Sequence, residues 1–397
     1  MADAYRILTL NQISSIGLKR FPSGRYLVGS QTDRPDAILV RSHDMRQMDI
    51  PVSVKAIGRA GAGTNNIPVA NMSQRGMPVF NAPGANANAV KELVLAGLLI
   101  ASRNLVQAVK FVEGLEGDDK TIDKLVEDGK KQFSGSELPK HTLGVIGLGK
   151  IGSLVADAAI KLGMNVLGYD PEITVEAAWS LPSAVKKAHS IEEVLKNSEY
   201  VTLHVPLLDV TRNLINAERL KSMKHGAILL NFSRDGIVDN DAVLEALHSK
   251  RLRYYVCDFP ARKLLDEPHV IALPHLGAST REAEENCAIM VVDQVRDFLE
   301  NGNIRNAVNF PDVTMDRESP YRMGIANANV PNMVGQISTT MAQAGLNIHN
   351  MLNKSKGEMA YTLVDVDSPV PDEVIARLAR IEGVLSVHYL PVDARGH

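Results

Sequence analysis

Along the first hundred positions, apolar residues come in short runs divided by polar or glycine-rich turns. Ala37–Val40, Val54–Ile57 and Pro78–Phe80 read as buried strands, because runs of this length bounded by turn residues suit a sheet covered on both faces. Residues 86–110, rich in Ala and Leu, read as one long helix. The stretch 113–140 mixes Lys, Asp, Glu and Gly and reads as a mobile surface excursion with some helix. From Thr142 the pattern sharpens: residues 143–146, 165–169, 200–205, 227–232 and 254–258 are short apolar runs, most of them separated by helical segments. Strands alternating with helices imply a parallel, doubly wound sheet with right-handed crossovers, ending near Pro274. Residues 279–301 read as another long helix, and Pro311 and Pro320 mark a linker. The tail reads strand (323–328), helix (334–344), strand (347–354), strand (360–366), helix (371–381), strand (384–390), the order of a small ferredoxin-like unit.

Length and composition narrow the class. A chain of 397 residues suggests two or three domains. With aromatics at only 5%, aliphatic side chains must fill the cores. A net charge of −3 gives no global reason to bind nucleic acid or an anionic membrane, although local arginines still suit a phosphate. Cys257 and Cys287 are the only cysteines, which is no disulfide framework, and no metal-ligand spacing is present, so no metal is expected. The N-terminus lacks a signal-peptide pattern, and the longest apolar run, 93–101, is far shorter than the about 20 residues of a membrane span. The expectation is a cytoplasmic enzyme.

The sharpest local signal is Gly147-Leu148-Gly149-Lys150-Ile151-Gly152, directly after a strand and opening a helix. In such a loop the first glycine permits the turn, the second lets backbone approach a pyrophosphate, and the third lets helix and strand pack closely. The helix N-terminus then offers free N–H groups to an anion. Asp170 follows at the end of the next strand, where an acid accepts from ribose hydroxyls and disfavours a 2′-phosphate, so NAD is favoured over NADP. Three later segments follow strands or lead into a helix: Asn231–Gly236, Cys257–Phe259 and Pro274–Thr280. Ligands of open α/β sheets bind beyond the carboxyl ends of the strands, so all three suit one crevice.

These segments, NFSRDGIVD, CDF and PHLGAST, resemble in order the motifs of the D-2-hydroxyacid dehydrogenases. The upstream AIGRAGAGTNNI and FNAPGANANAVKELV also fit, and the tail from Gly324 to Asp367 resembles an ACT domain, so the resemblance covers nearly the whole chain. It implies a Rossmann-type NAD domain (99–278) inserted in a flavodoxin-like α/β substrate domain (1–98 and 279–309), followed by a ferredoxin-like ACT regulatory domain (320–397). It makes Arg234 the substrate-binding arginine, whose fork suits a carboxylate, and His275 the acid/base, a role that suits a side chain titrating near neutrality. It places Asp258 against the nicotinamide carboxamide and Thr211 at the cofactor. Lys150, Ile151, His204, Val205, Pro206, Phe232, Ser233 and Gly277 join Gly147, Gly149 and Asp170 as cofactor-binding positions.

Within the family the arrangement resembles the short members that act on D-3-phosphoglycerate, in which arginines matching Arg41 and Arg59 help hold the phosphate. The turn at Ala62 and Gly63 offers N–H groups to the carboxylate, and Asn86 opens the following helix near the same crevice. The resemblance further implies a homo-oligomer, at least a dimer, and an L-serine effector held at Asn329 and Asn347, with Asn327 standing where relatives place a histidine. Two departures remain. The family's glutamate that pairs with the histidine is missing after Asp258, with Glu267 a doubtful substitute, and Lys91 stands where an uncharged residue is usual. The alternatives are a dehydrogenase of another D-2-hydroxy acid and an NAD-sensing binding protein.

Overall fold

The computed structural model describes residues 4–392. The chain divides into two compact units, one built from residues up to Asn86 together with those from Arg281 onward, the other from Ala87–Thr280.

The first unit begins with a parallel sheet of β1 (Tyr5–Leu10), β2 (Tyr26–Gly29), β3 (Ala37–Val40), β4 (Ala56–Arg59) and β5 (Val79–Phe80) in the order β2-β1-β3-β4-β5, which is flavodoxin-like. Successive side chains point to opposite faces of a strand. Ile7 and Leu39 therefore meet the helix Arg281–Asn301 through Val291, Val295 and Phe298, while Leu8, Ile38 and Ile57 pack with Met72 and Met77 on the other face. Gly58 allows the helix to sit close, since a Cβ there would lie 2.6 Å from the Val291 side chain. The first two strands are not evident in the hydrophobic pattern: Arg6 and Thr9 interrupt β1, although it lies inside the sheet.

The second unit is a seven-stranded parallel sheet of β6 (Thr142–Ile146), β7 (Asn165–Tyr169), β8 (Val185–Lys187), β9 (Tyr200–Leu203), β10 (Ala227–Asn231), β11 (Leu252–Cys257) and β12 (Val270–Ala272). Its order is β12-β11-β10-β9-β6-β7-β8, so the chain reverses direction across the sheet between β9 and β6. The helix Ala87–Ser102 lies in this unit along its whole length, burying Val90, Val94, Leu98 and Ala101 against Leu230, Phe232 and Val256. The domain boundary expected at 98 thus falls inside a helix. The single helix expected over 86–110 is two, Ala87–Ser102 and Leu105–Glu113, set at 65°. Asn104 makes the break in a left-handed conformation (φ 52°). Its amide donates to Phe133 O and Ser134 O and accepts from Arg253 and the Tyr254 hydroxyl. The polar excursion carries a helix, Asp119–Gly129, capped by Asp118, whose side chain accepts from Thr121 N. No single helix among the described residues is long and apolar enough to cross a membrane.

The C-terminal part of the first unit is an antiparallel sheet of β13 (Tyr321–Ala328), β14 (Ile348–Lys356), β15 (Met359–Val366) and β16 (Val384–Pro391) in the order β14-β15-β13-β16, with helices Met333–Gln343 and Asp372–Ala379. This is the ferredoxin-like arrangement expected of an ACT domain. One face buries Met323, Ile325 and Val364 under Ile337, Met341 and Leu378. The other presents Ala326, Tyr361 and Leu363 to Phe298 and Phe310. An ion pair pins the junction: Arg322 and Asp365 are both fully buried, with Nε donating to Oδ1 at 2.6 Å and Nη2 to Oδ2 at 2.8 Å. The remaining donors reach Asn301 O, Met315 O and Asp316 O, so each of the five guanidinium N–H groups has an acceptor.

Removing one partner of such a pair leaves a buried charge alone, at about 3–5 kcal/mol. Arg322→Met is expected to lower the unfolding free energy by about that much. Adding Asp365→Leu should recover part of the loss, with the three carbonyls still unsatisfied. Chemical denaturation of the three proteins checks this; an Arg322→Met variant as stable as the wild type contradicts it.

Candidate functional site

Candidate residues collect at the carboxyl edge of the seven-stranded sheet. The glycine-rich loop follows β6, Asp170 follows β7, His204 follows β9, Phe232–Arg234 follow β10, Asp258 follows β11 and His275 lies just beyond β12. The reversal between β9 and β6 opens the crevice that such sheets use for ligands.

The loop geometry suits a dinucleotide. Gly147 has φ +92°, and a Cβ there would lie 2.5 Å from His204 O. A Cβ on Gly152 would lie 1.9 Å from Gly147 O, so the helix Lys150–Lys161 reaches the loop only because that side chain is absent. Gly149, between them, faces open space and caps the helix without a side chain, leaving its first N–H groups to an anion. Lys150 and Ile151 form the first turn of that helix. The Asp170 carboxylate accepts from Leu148 N at 2.8 Å and from Glu172 N at 2.9 Å, which fixes it beside the loop, where it suits ribose hydroxyls and repels a 2′-phosphate. These residues fit NAD, with the glycines for the pyrophosphate and Asp170 for the adenosine ribose.

The segment after β9 forms the next wall. His204 is partly exposed, and desolvation of its ring pushes its pKa down to about 3, so the ring is neutral, with Nε2 3.0 Å from the Thr202 hydroxyl. Val205 and Pro206 lead to Thr211, whose hydroxyl donates to Pro206 O at 2.6 Å and accepts from Leu208 N, closing the turn. After β10, Phe232 is buried and the Ser233 hydroxyl donates to Leu203 O. Asn231 holds this turn from both sides, accepting from Ser233 N and donating to Arg234 O. Its position at a strand end, at the head of the Asn231–Gly236 segment, was the available signal for this role, which the sequence analysis does not assign. Arg234 is exposed, and its guanidinium donates to Ser233 O.

Asp258 is 1% exposed, and both of its oxygens are engaged by backbone, Oδ1 by Leu276 N at 2.7 Å and Oδ2 by Gly277 N at 2.8 Å. It thereby grips the loop that carries His275, a residue with φ +58°. The His275 ring is exposed and packs edge-on against Phe259, with centroids 5.1 Å apart. No carboxylate among the described residues pairs with it. Glu267 instead engages His248 and His269. Lys91 donates to Asn88 on its own helix.

In the first unit, Arg41 follows β3 and Arg59 ends β4, adjacent at the carboxyl edge of the five-stranded sheet. Arg59 Nε donates to Arg41 O at 3.1 Å, and its guanidinium lies against Gly61, where a Cβ would come 2.4 Å from Nη1. Ala62 and Gly63 form the following turn, with Ala62 O held by Asn81, and Asn86 directly precedes a helix. Asn329 and Asn347 are exposed at the ends of ferredoxin-like elements: the Asn329 amide donates to Gly357 O, and Asn347 N donates to the Asp367 carboxylate. None of these candidates lines the first unit's cavity of about 750 Å³ along the helix Arg281–Asn301.

Residues 95–277 match the family described as D-isomer specific 2-hydroxyacid dehydrogenase, NAD binding domain. A D-3-phosphoglycerate dehydrogenase of Methanocaldococcus jannaschii is 34% identical over 343 residues, 83% of this chain and 62% of that protein. One of Synechocystis is 35% identical over 85% of this chain and 60% of its own length, so the chain spans less than two thirds of either relative. One of Haemophilus influenzae is 33% identical over 84% of this chain and 81% of that protein. Among solved structures, a Thermus thermophilus protein covers 76% of this chain and 99% of its own at TM-score 0.63 and 28% identity. An NAD+-bound 3-phosphoglycerate dehydrogenase of Entamoeba histolytica shares the fold at TM-score 0.59 and 24% identity, over 77% of this chain and 99% of its own.

Asp258→Ala removes both acceptors from the loop. Two charge-assisted bonds at a buried site make the expected loss of stability roughly 2–4 kcal/mol, and the Leu276 and Gly277 amides should lose protection from hydrogen exchange. Unchanged protection at both amides would show that something else holds the loop.

Proposed function

This chain belongs to the D-isomer specific 2-hydroxyacid dehydrogenases, and from that premise we propose that it oxidises D-3-phosphoglycerate to 3-phosphohydroxypyruvate with NAD, the first step toward L-serine by the phosphorylated route. The observation that carries the reading is one sheet edge bearing the glycine-rich loop, Asp170, Arg234 and His275 together.

When bound, NAD supplies the acceptor for the hydride that leaves C2. Gly147, Gly149, Lys150 and Ile151 cradle its pyrophosphate and Asp170 its ribose. His204, Val205, Pro206, Thr211, Phe232, Ser233 and Gly277 would wall the cofactor, and Asp258 would offer its carboxamide a lone pair beside the bonds its oxygens already accept from Leu276 N and Gly277 N. His275 takes the hydroxyl proton as the C2–H bond breaks, so that ketone, NADH and protonated imidazole balance the step. Arg234 holds the carboxylate and polarises the developing carbonyl, assisted by the N–H groups at Ala62 and Gly63. Arg41 and Arg59 take the phosphate, and Asn86 completes the substrate contacts. The protein works as a homo-oligomer, at least a dimer, a reading supported by the outer edge of β14, which pairing with a second copy would cover. L-Serine, held at Asn329 and Asn347, is its effector, since an amide donates to a carboxylate and accepts from an ammonium group.

Arg234→Ala should lower kcat/KM for D-3-phosphoglycerate by about 2–3 kcal/mol in barrier terms, roughly 30- to 150-fold, with NAD affinity retained. His275→Ala should abolish turnover while substrate still binds. Stopped-flow and steady-state NADH absorbance check both, and full activity in either variant refutes the role given to that residue. Light scattering at micromolar concentration, with L-serine titrated against the rate, tests assembly and effector. A 43 kDa particle, or no inhibition at millimolar serine, removes the corresponding assignment.

A further inference from the structure

The guanidinium of Arg41 already has a partner. Its Nη2 donates to Glu284 Oε1 at 2.6 Å, and this is its one described side-chain contact. The two residues are 243 positions apart, Arg41 just after β3 and Glu284 in the first turn of the helix Arg281–Asn301. Arg59 is tied to the same place, its Nε on Arg41 O, and Asn66 Nδ2 reaches that carbonyl as well. One turn along the helix, burial pushes the Cys287 thiol's pKa up, with Arg59 and Arg41 lowering it and Glu284 raising it. Two cations and one carboxylate therefore share a small volume at the carboxyl edge of the five-stranded sheet.

We propose that Glu284 is a specificity-determining residue that, acting through Arg41, sets how tightly the substrate's phosphate is held. The inference rests on the phosphoglycerate reading above. A phosphate arriving at Arg41 meets a cation shared with a carboxylate. It must displace the Glu284 contact or share the guanidinium with it, and in both cases it feels the repulsion of a like charge a few ångströms away. The side chains are about one-third exposed, 36% for Arg41 and 40% for Glu284, so solvent weakens the pair and exchange of partners is feasible. Glu284 keeps Arg41 paired before a phosphate arrives, and it opposes over-tight retention of a phosphorylated substrate or product. A ligand without a phosphate gains nothing from Arg41 and is indifferent to Glu284.

Glu284→Gln is the discriminating change, because glutamine keeps an oxygen acceptor for Nη2 and removes the charge. With the full-length protein at low ionic strength, the KM for D-3-phosphoglycerate is expected to fall about three- to tenfold, with kcat moving less than twofold. The inhibition constant of D-glycerate, which lacks the phosphate, should stay within twofold of wild type. Raising the salt concentration should shrink the difference in KM, since exposed charges are screened. A KM that is unchanged or higher in Glu284→Gln, or one that shifts in step with the D-glycerate constant, overturns the proposal and marks the pair as a structural contact. If the wild type turns over D-3-phosphoglycerate and only this contrast is missing, the counter-ion role alone falls. If the wild type does not use that substrate, the phosphate reading falls and this inference with it.

Discussion

The Asp258 carboxylate at the end of β11 holds the loop that carries His275, the acid/base of the proposed reaction. Its two oxygens accept the N–H groups of Leu276 and Gly277, the two residues that follow His275. With no carboxylate partner among the described residues, His275 is oriented by this backbone grip, by its positive φ and by the Phe259 ring. A non-glycine residue in the left-handed region costs energy that the surroundings must offset, and two charge-assisted bonds from a buried carboxylate are a sufficient source. In relatives a carboxylate is expected to steer the imidazole directly; here the steering reaches it through the main chain.

A similar division of labour runs through the first unit. The helix Arg281–Asn301 packs along the five-stranded sheet, and its two ends face different tasks. Near its start, Glu284 meets Arg41. At its end, Glu300 O accepts from Arg317 and Asn301 O from Arg322, which satisfies terminal carbonyls that a helix otherwise leaves unpaired. Cations at a helix C-terminus are also favoured by its dipole. The ferredoxin-like sheet is thus joined to the five-stranded sheet through the final turn of one helix, with Tyr361 and Leu363 sharing the hydrophobic cluster of Phe298. A rigid element about 30 Å long, from 21 residues at 1.5 Å each, connects the two.

Much of this was legible in the sequence where the signal was local. The strand Ala37–Val40 and the strand Ala227–Asn231 are buried along their whole length and read as continuous apolar runs. The glycine-rich loop was legible because each glycine answers a steric demand within a few residues of itself. What failed was non-local. Nothing between Ser102 and Leu105 announces a break, since neither Gly nor Pro is present. The helix ends because Asn104 finds partners at Phe133, Ser134, Arg253 and Tyr254. The strands β1, β2, β8 and β12 were missed because they are short or carry charged and polar residues, and only pairing with neighbours fixes them. The Arg41–Glu284 and Arg322–Asp365 pairs link residues far apart in sequence, so no spacing rule could have found them.

The proposed reaction needs one sheet edge to bind NAD while hydride leaves a phosphorylated D-2-hydroxy acid. The most direct measurement is the initial rate of reduced-cofactor formation by the purified full-length protein, comparing NAD with NADP and D-3-phosphoglycerate with its L-enantiomer. Reduced-cofactor absorbance should grow with NAD and the D-enantiomer, with rates lower by orders of magnitude when either is exchanged, if Asp170 repels a 2′-phosphate and Arg234 and His275 fix one face of C2. Equal rates with NADP, or no reduction of NAD by D-3-phosphoglycerate, would contradict it.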